Sequence, residues 1–163
     1  MTRRRFFVWV GGVSGTLAAW RWVFGPTEVP AAAGGFEIAR AEAEWRKLLS
    51  SEQFSVLRQH GTERPWTSPL NKEYGRGTYV CAGCELPLFS SDTKFDSGTG
   101  WPSFWTPIEG AIGTTVDTSF FMKRTEVHCR QCGGHLGHVV DDGPKPTGLR
   151  YCINGVSLKF IPA

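Results

Sequence analysis

Two short cysteine knuckles restrict what this chain can become more than any other feature does. Cys81-Ala82-Gly83-Cys84 and Cys129-Arg130-Gln131-Cys132 are both C-x-x-C pairs, and 44 residues lie between them. Each follows a strand-like stretch, Tyr79-Val80 or Val127-His128, with Gly83 or Gly133-Gly134 available for the tight turn. Four thiolates at this spacing make a closed tetrahedral site that suits Zn²⁺. Cys81, Cys84, Cys129 and Cys132 are therefore expected to hold one structural zinc that ties two halves of a domain together. The rival readings are two disulfides or a redox C-x-x-C. A redox pair ordinarily stands alone, so two knuckles of one kind favour the metal. His128, beside a ligand, reads as a bystander.

The fifth cysteine falls outside that scheme. Cys152 sits in Arg150-Tyr151-Cys152-Ile153-Asn154. Residues two apart on an extended strand share a face, which would set a cation and an amide beside the thiol. A nearby cation favours the thiolate, and the thiolate is the nucleophile. The bland alternative is a small buried hydrophobe. Just after the second knuckle, His135-Leu136-Gly137-His138 places two histidines three apart. Thiolates already fill a metal site, so this pair more naturally supplies protons or orients water near a reactive thiol. The alternative is two solvated histidines on a loop.

The rest of the chain reads as scaffold. It has 163 residues with 20 Gly and 10 Pro, which favours short strands and many turns over long helices. Residues 36–60 carry helically spaced apolar positions, interrupted at Ser50 and Ser51, where an N-cap is expected. No catalytic constellation lies there: His60 reads as a solvated helix end and Glu63 as an ordinary polar contact. Residues 88–104 are turn-rich and aromatic, while 116–121, 124–128, 137–140 and 156–160 read as short strands. Met122 is expected in the core, and Asp141-Asp142-Gly143-Pro144 is a turn whose carboxylates receive no chemistry. The fold class expected is mainly β: a small antiparallel barrel or two packed sheets, with helices in front and a structural zinc. Nothing marks an assembly interface, so a monomer is expected.

Charge divides the chain at one place. Residues 1–33 hold Arg3, Arg4, Arg5 and Arg21 against Glu28 alone, and residues 34–163 are neutral. A neutral body argues against a nucleic-acid partner, which needs a basic face. The basic start, short apolar run and small residues before Gly34 make an export-signal pattern, and the tandem arginines before Phe6-Phe7 resemble a bacterial twin-arginine signal. Ala31-Ala32-Ala33 offers a cleavage site. The alternative is a membrane anchor, but 6–20 is short of the about 20 apolar residues a span needs. The expectation is a signal segment over 1–33, a domain over 34–163, and a periplasmic location. Twin-arginine export carries folded proteins, so zinc could be loaded in a reducing cytosol before thiols met an oxidising compartment.

Taken together, four motifs resemble the methionine sulfoxide reductase B family: Cys81-x-x-Cys84; Ser97-Gly98-x-Gly100-Trp101-Pro102-Ser103-Phe104; His135-Leu136-Gly137-His138-Val139; and Arg150-Tyr151-Cys152-Ile153-Asn154. The likeness runs from about Trp45 to Pro162. It implies two antiparallel sheets, a structural zinc and reduction of the R epimer of methionine sulfoxide in proteins. It also implies Cys152 as nucleophile, Trp101 as a wall for the substrate methyl, and His135 and His138 as groups that bind or protonate the sulfoxide oxygen. Arg150 and Asn154 fall among the polar neighbours of the nucleophile. One departure matters: many relatives carry a resolving cysteine where this chain has Thr99. With four of the five cysteines assigned to metal, Cys152 has no internal partner. A thioredoxin-like protein or a small thiol is then the expected reductant. The competing class is a non-catalytic zinc-ribbon binding module, which leaves the Cys152 window and the paired histidines idle.

Overall fold

The computed structural model describes residues 35–118 and 123–163. The signal expected over 1–33, the end of the strand expected over 116–121 and the core role of Met122 lie outside the described residues. Among those described, no helix is long and apolar enough to cross a membrane.

Among the described residues two short helices come first, α1 Glu42–Leu48 and α2 Ser51–Gln59. Their division at Ser50 has a local cause. The Ser50 hydroxyl accepts from Gln53 N at 3.1 Å, and Gln53 Oε1 accepts from Ser50 N at 3.0 Å. This reciprocal capping starts α2 afresh. The helices then cover the cysteine knuckles. Trp45 and Leu57 are buried, Arg58 lies over the Trp45 ring and donates to Cys132 O at 2.9 Å, and a Cβ on Gly134 would stand 2.8 Å from Leu57.

Among the described residues nine strands follow: β1 Gly77–Cys81, β2 Pro87–Ser90, β3 Lys94–Phe95, β4 Ser103–Phe104, β5 Ile112–Asp117, β6 Arg124–Cys129, β7 His135–Val140, β8 Arg150–Ile153 and β9 Leu158–Pro162. They form a three-stranded sheet in the order β2-β1-β9 and a six-stranded sheet in the order β3-β4-β8-β7-β6-β5, with every pairing antiparallel. Neither sheet closes on itself, so of the two expected forms the paired sheets are realised and the barrel is not.

Aromatic residues join the sheets. Phe89 of β2 stacks on Phe104 of β4 at 4.3 Å, and Tyr79 of β1 meets Phe104 edge-on at 5.0 Å. All three rings are fully buried, and Leu88, Val127, Leu136 and Ile153 fill the space around them. Each such side chain contributes about 1.5–3 kcal/mol by leaving water. The buried Tyr79 hydroxyl is satisfied by donating to Glu73 O at 2.7 Å. The central sheet is thus clamped from one side, and its other face is left to build a site.

Candidate active site

The register of the six-stranded sheet assembles the site. Cys152 on β8 lies opposite Ser103 on β4 and His138 on β7, and His138 in turn lies opposite Glu126 on β6. Directly opposed residues of antiparallel strands project to the same side. Ser103, Cys152, His138 and Glu126 therefore form one row across four strands. β7 and β8 approach so closely that a Cβ on Gly137 would lie 2.0 Å from the Cys152 carbonyl oxygen.

His135 joins this row through an irregularity. Two residues three apart on a regular strand face opposite ways. Between β6 and β7, however, the register shifts at Val127/His128, and such a shift re-aims a side chain. The His135 ring consequently lies 5.4 Å from that of His138, and its Nδ1 is 2.7 Å from Glu126 Oε1. Both histidines are on a strand, not on a solvated loop, and His135 is only 3% exposed. An ionised carboxylate only accepts, so His135 Nδ1 carries the proton and Nε2 the lone pair. Burial, the largest influence, pushes the imidazole pKa down despite the Glu126 hydrogen bond. His138 Nε2 lies 2.9 Å from Asp117 Oδ2, which also accepts from Arg124 at 2.7 Å.

A pocket of about 170 Å³ opens over the thiol, lined by Thr62, Trp101, Arg124, His138, Cys152 and Asn154. Four of the residues expected at the site thus meet in one cavity. His135 stands behind His138 and lines a larger neighbouring cavity with His60, Asp117, Glu126 and His138. Trp101 is fixed as a wall by donating from Nε1 to Glu63 O at 3.0 Å.

Two expectations about the surroundings of the Cys152 thiol need correction. The sequence alone points to a thiol made acidic by an adjacent cation. Arg150 does act in that direction, by its charge and by a hydrogen bond, and Thr99 helps from 3.9 Å. Burial outweighs them, and the thiol pKa is pushed up from its ordinary value. Part of the reason is that Arg150 is shared: its Nε and Nη2 donate to the two carboxylate oxygens of Asp142 at 2.8 and 2.6 Å. Asp142, given no chemistry from sequence, therefore orients Arg150 and itself opposes ionisation of the thiol.

Asn154 is the second correction. It lines the pocket but does not offer its amide to the sulfur. Its Oδ1 accepts from Glu63 N at 2.9 Å and its Nδ2 donates to Leu136 O at 2.9 Å. Asn154 is thus a tie between the segment that follows α2 and the bulged start of β7. Glu63 is more than the ordinary contact expected, because its carbonyl holds Trp101, its N–H meets Asn154 and its carboxylate accepts from Val156 N at 3.2 Å. His60 is not merely solvated either, since its Nδ1 is 3.1 Å from Glu126 Oε1. Thr62, Asp117, Arg124 and Glu126 were not singled out in the sequence, and no spacing marks them.

The remaining cysteines form a second centre apart from the pocket. Cys81 Sγ is 3.7 Å from Cys132 Sγ, Cys84 Sγ is 3.5 Å from Cys129 Sγ, and all four sulfurs lie within 4.8 Å of one another. A tetrahedral ion with bonds of about 2.3 Å separates its sulfurs by roughly 3.8 Å, so the cluster has the size Zn²⁺ needs. Thiolates crowded this closely repel, and a cation at their centre relieves that repulsion. No disulfide links any of the five cysteines.

Residues 49–162 match the family model described as SelR domain. The chain is 55% identical over 126 residues to the peptide methionine sulfoxide reductase MsrB of Leptospira interrogans serogroup Icterohaemorrhagiae serovar Lai, covering 77% of this chain and 96% of that one. It is 59% identical over 127 residues to the protein of the same name from Pseudomonas putida strain W619, covering 77% and 96%. Against that of Methanosarcina barkeri strain Fusaro it is 56% identical over 124 residues, covering 76% and 87%.

Proposed function

The chain belongs to the SelR-domain family of methionine sulfoxide reductases B, and from that premise we propose that it reduces the R epimer of methionine sulfoxide, chiefly in oxidised proteins, with Cys152 as nucleophile. The observation that carries this reading is the single pocket that gathers Cys152, His138, Trp101 and Asn154. A sulfoxide sulfur is electrophilic, but its oxygen leaves only when protonated. Cys152 Sγ attacks that sulfur as the oxygen takes a proton from His138, directly or through water. A protonated His138 keeps one N–H against Asp117 and has the other to give. His135, held by Glu126, packs against the His138 ring and orients it. The oxygen passes to Sγ as the methionine thioether departs, leaving Cys152 as a sulfenic acid. The substrate gains the two electrons that Sγ loses, and the proton released by the thiol balances the one His138 gave.

The upward shift of the thiol fits this sequence, since proton loss from sulfur and proton gain by the oxygen are then coupled events. Arg150 supplies the charge that steadies the developing thiolate. Trp101 gives the terminal methyl an apolar wall, which supports discrimination between epimers. With Thr99 beside the sulfur, the sulfenic acid is returned to thiol by two equivalents of an external thiol, thioredoxin-like or small, which leave as a disulfide and water. Zn²⁺ bound at Cys81, Cys84, Cys129 and Cys132 would supply a structural cross-link and no step of the reaction. Residues 1–33 fit the same scheme as a twin-arginine export signal to the periplasm. A reporter fused to them should lose export when Arg3, Arg4 and Arg5 become Lys, and unchanged export would remove that part. For the reaction, turnover of dabsylated methionine R-sulfoxide with dithiothreitol, and none of the S epimer, is expected. Equal rates on both epimers would overturn the stereochemical assignment.

A further inference from the structure

Beside the reaction pocket, and separate from the cysteine cluster, His60, Glu126 and His135 each bring a potential ligand atom within 4.8 Å of the other two. We propose that these three side chains form a second metal site, for a divalent ion of the Zn²⁺ or Co²⁺ kind, whose occupation shuts off the neighbouring chemistry. The shut-off rests on the function proposed above; the binding does not.

The donor set chooses the ion. Two imidazole nitrogens and one carboxylate oxygen suit Zn²⁺, Co²⁺, Ni²⁺ or Cu²⁺ and are poor ligands for Mg²⁺ or Ca²⁺. Ligands about 2.0–2.2 Å from one ion stand roughly 2.9–3.5 Å apart at angles of about 90–110°. Here the carboxylate oxygen is 3.1 Å from His60 Nδ1 and 2.7 Å from His135 Nδ1, each inside or within a few tenths of an ångström of that range. Without metal, both rings turn a nitrogen to the same oxygen, and an ion takes the place of those two protons.

The three residues come from three elements, which preorganises them. Glu126 stands on β6 and His135 on β7, both largely buried. His60 ends α2 in the left-handed conformation at φ 55°, with its ring 5.1 Å from that of His135. A non-glycine residue held there is strained by about 1–3 kcal/mol and needs a surrounding that fixes it. The site is also open. It borders a cavity of about 530 Å³, which leaves room for water on the remaining coordination positions. A bound ion fixes His135 away from its present hydrogen bond and crowds the cavity beside His138, whose ring is 5.4 Å off.

Co²⁺ titrated into the full, zinc-loaded protein tests the binding. Weak visible bands of nitrogen- and oxygen-ligated cobalt should saturate at one equivalent, without the intense near-ultraviolet thiolate charge transfer of a cysteine site. His60→Ala and Glu126→Gln should each weaken that binding at least tenfold, and Cys152→Ser should leave it unchanged. No such bands, an unaltered titration in His60→Ala, or loss in Cys152→Ser would overturn the site. In turnover assays, Zn²⁺ should inhibit the unmodified protein at a concentration at least tenfold below that needed for His60→Ala, whose basal rate stays normal. Equal inhibition of both refutes the shut-off. If no sulfoxide is turned over at all, the proposed function fails while the cobalt spectra still decide the site.

Discussion

Replacing Asn154 by alanine tests how the pocket is held. Asn154 is 5% exposed and its amide makes two bonds to backbone, from Glu63 N and to Leu136 O. Leu136 O keeps a second donor, Asn154 N at 2.9 Å, so its loss is mild, about 0.5–1.5 kcal/mol. Glu63 N–H loses its partner in a partly buried setting, which costs about 1–3 kcal/mol. The expected destabilisation is about 1.5–4.5 kcal/mol, or roughly 6–18 °C in Tm for a domain of this size. Because Glu63 O also holds Trp101 Nε1, the pocket wall should loosen, and KM should rise by more than kcat falls. Urea unfolding followed by tryptophan fluorescence, together with steady-state kinetics, reads both effects. Asn154→Asp keeps the acceptor for Glu63 but sets an oxygen against Leu136 O, so it should rescue only part of the loss. A change below about 0.5 kcal/mol, with kcat alone reduced, would refute the tie and return the amide to the thiol's side.

Three further outcomes follow from the same geometry. Burial raises the Cys152 pKa, so the free protein is a thiol at neutral pH, and its alkylation by iodoacetamide should climb steadily from pH 7 to above pH 9; a plateau reached below pH 7 would contradict this. Gly137→Ala drives a methyl to within 2.0 Å of the Cys152 carbonyl and must part β7 from β8, so loss of soluble folded protein or of nearly all activity is expected, and a normal Tm with normal rate would refute the close approach. Cys129→Ser, or prolonged treatment with a zinc chelator, should unfold the domain, because the cluster joins β1 and β6 from different sheets; retention of the native circular dichroism spectrum would show the metal is dispensable.

Local chemistry explains which parts were legible in the sequence. The capped start of α2 at Ser50 and the cysteine cluster are set by residues close in sequence or by one well-known metal geometry, and both are found where expected. β7 and β8 carry the expected histidines and thiol, but β7 begins at His135 because the shift opposite His128 admits both histidines to one face. That irregularity depends on a neighbouring strand, so spacing along β7 cannot announce it. The same applies to the polar partners. Glu126, Asp117 and Glu63 act on His135, His138 and Asn154 across 9, 21 and 91 residues of chain. Their roles exist only once the sheet is paired. The direction of the thiol's shift is hidden from the sequence for a related reason: Arg150 is visible two residues away, whereas burial and the competing Asp142 carboxylate belong to the folded state.

The most direct test is a single turnover without reductant. The protein mixed with an excess of methionine R-sulfoxide should yield one methionine per chain and a dimedone-reactive, singly oxygenated cysteine that peptide mass spectrometry places on Cys152, with the other four cysteines untouched. Methionine formed by Cys152→Ser, or an oxidised product that instead pairs Cys152 with one of the cluster cysteines, would contradict the account.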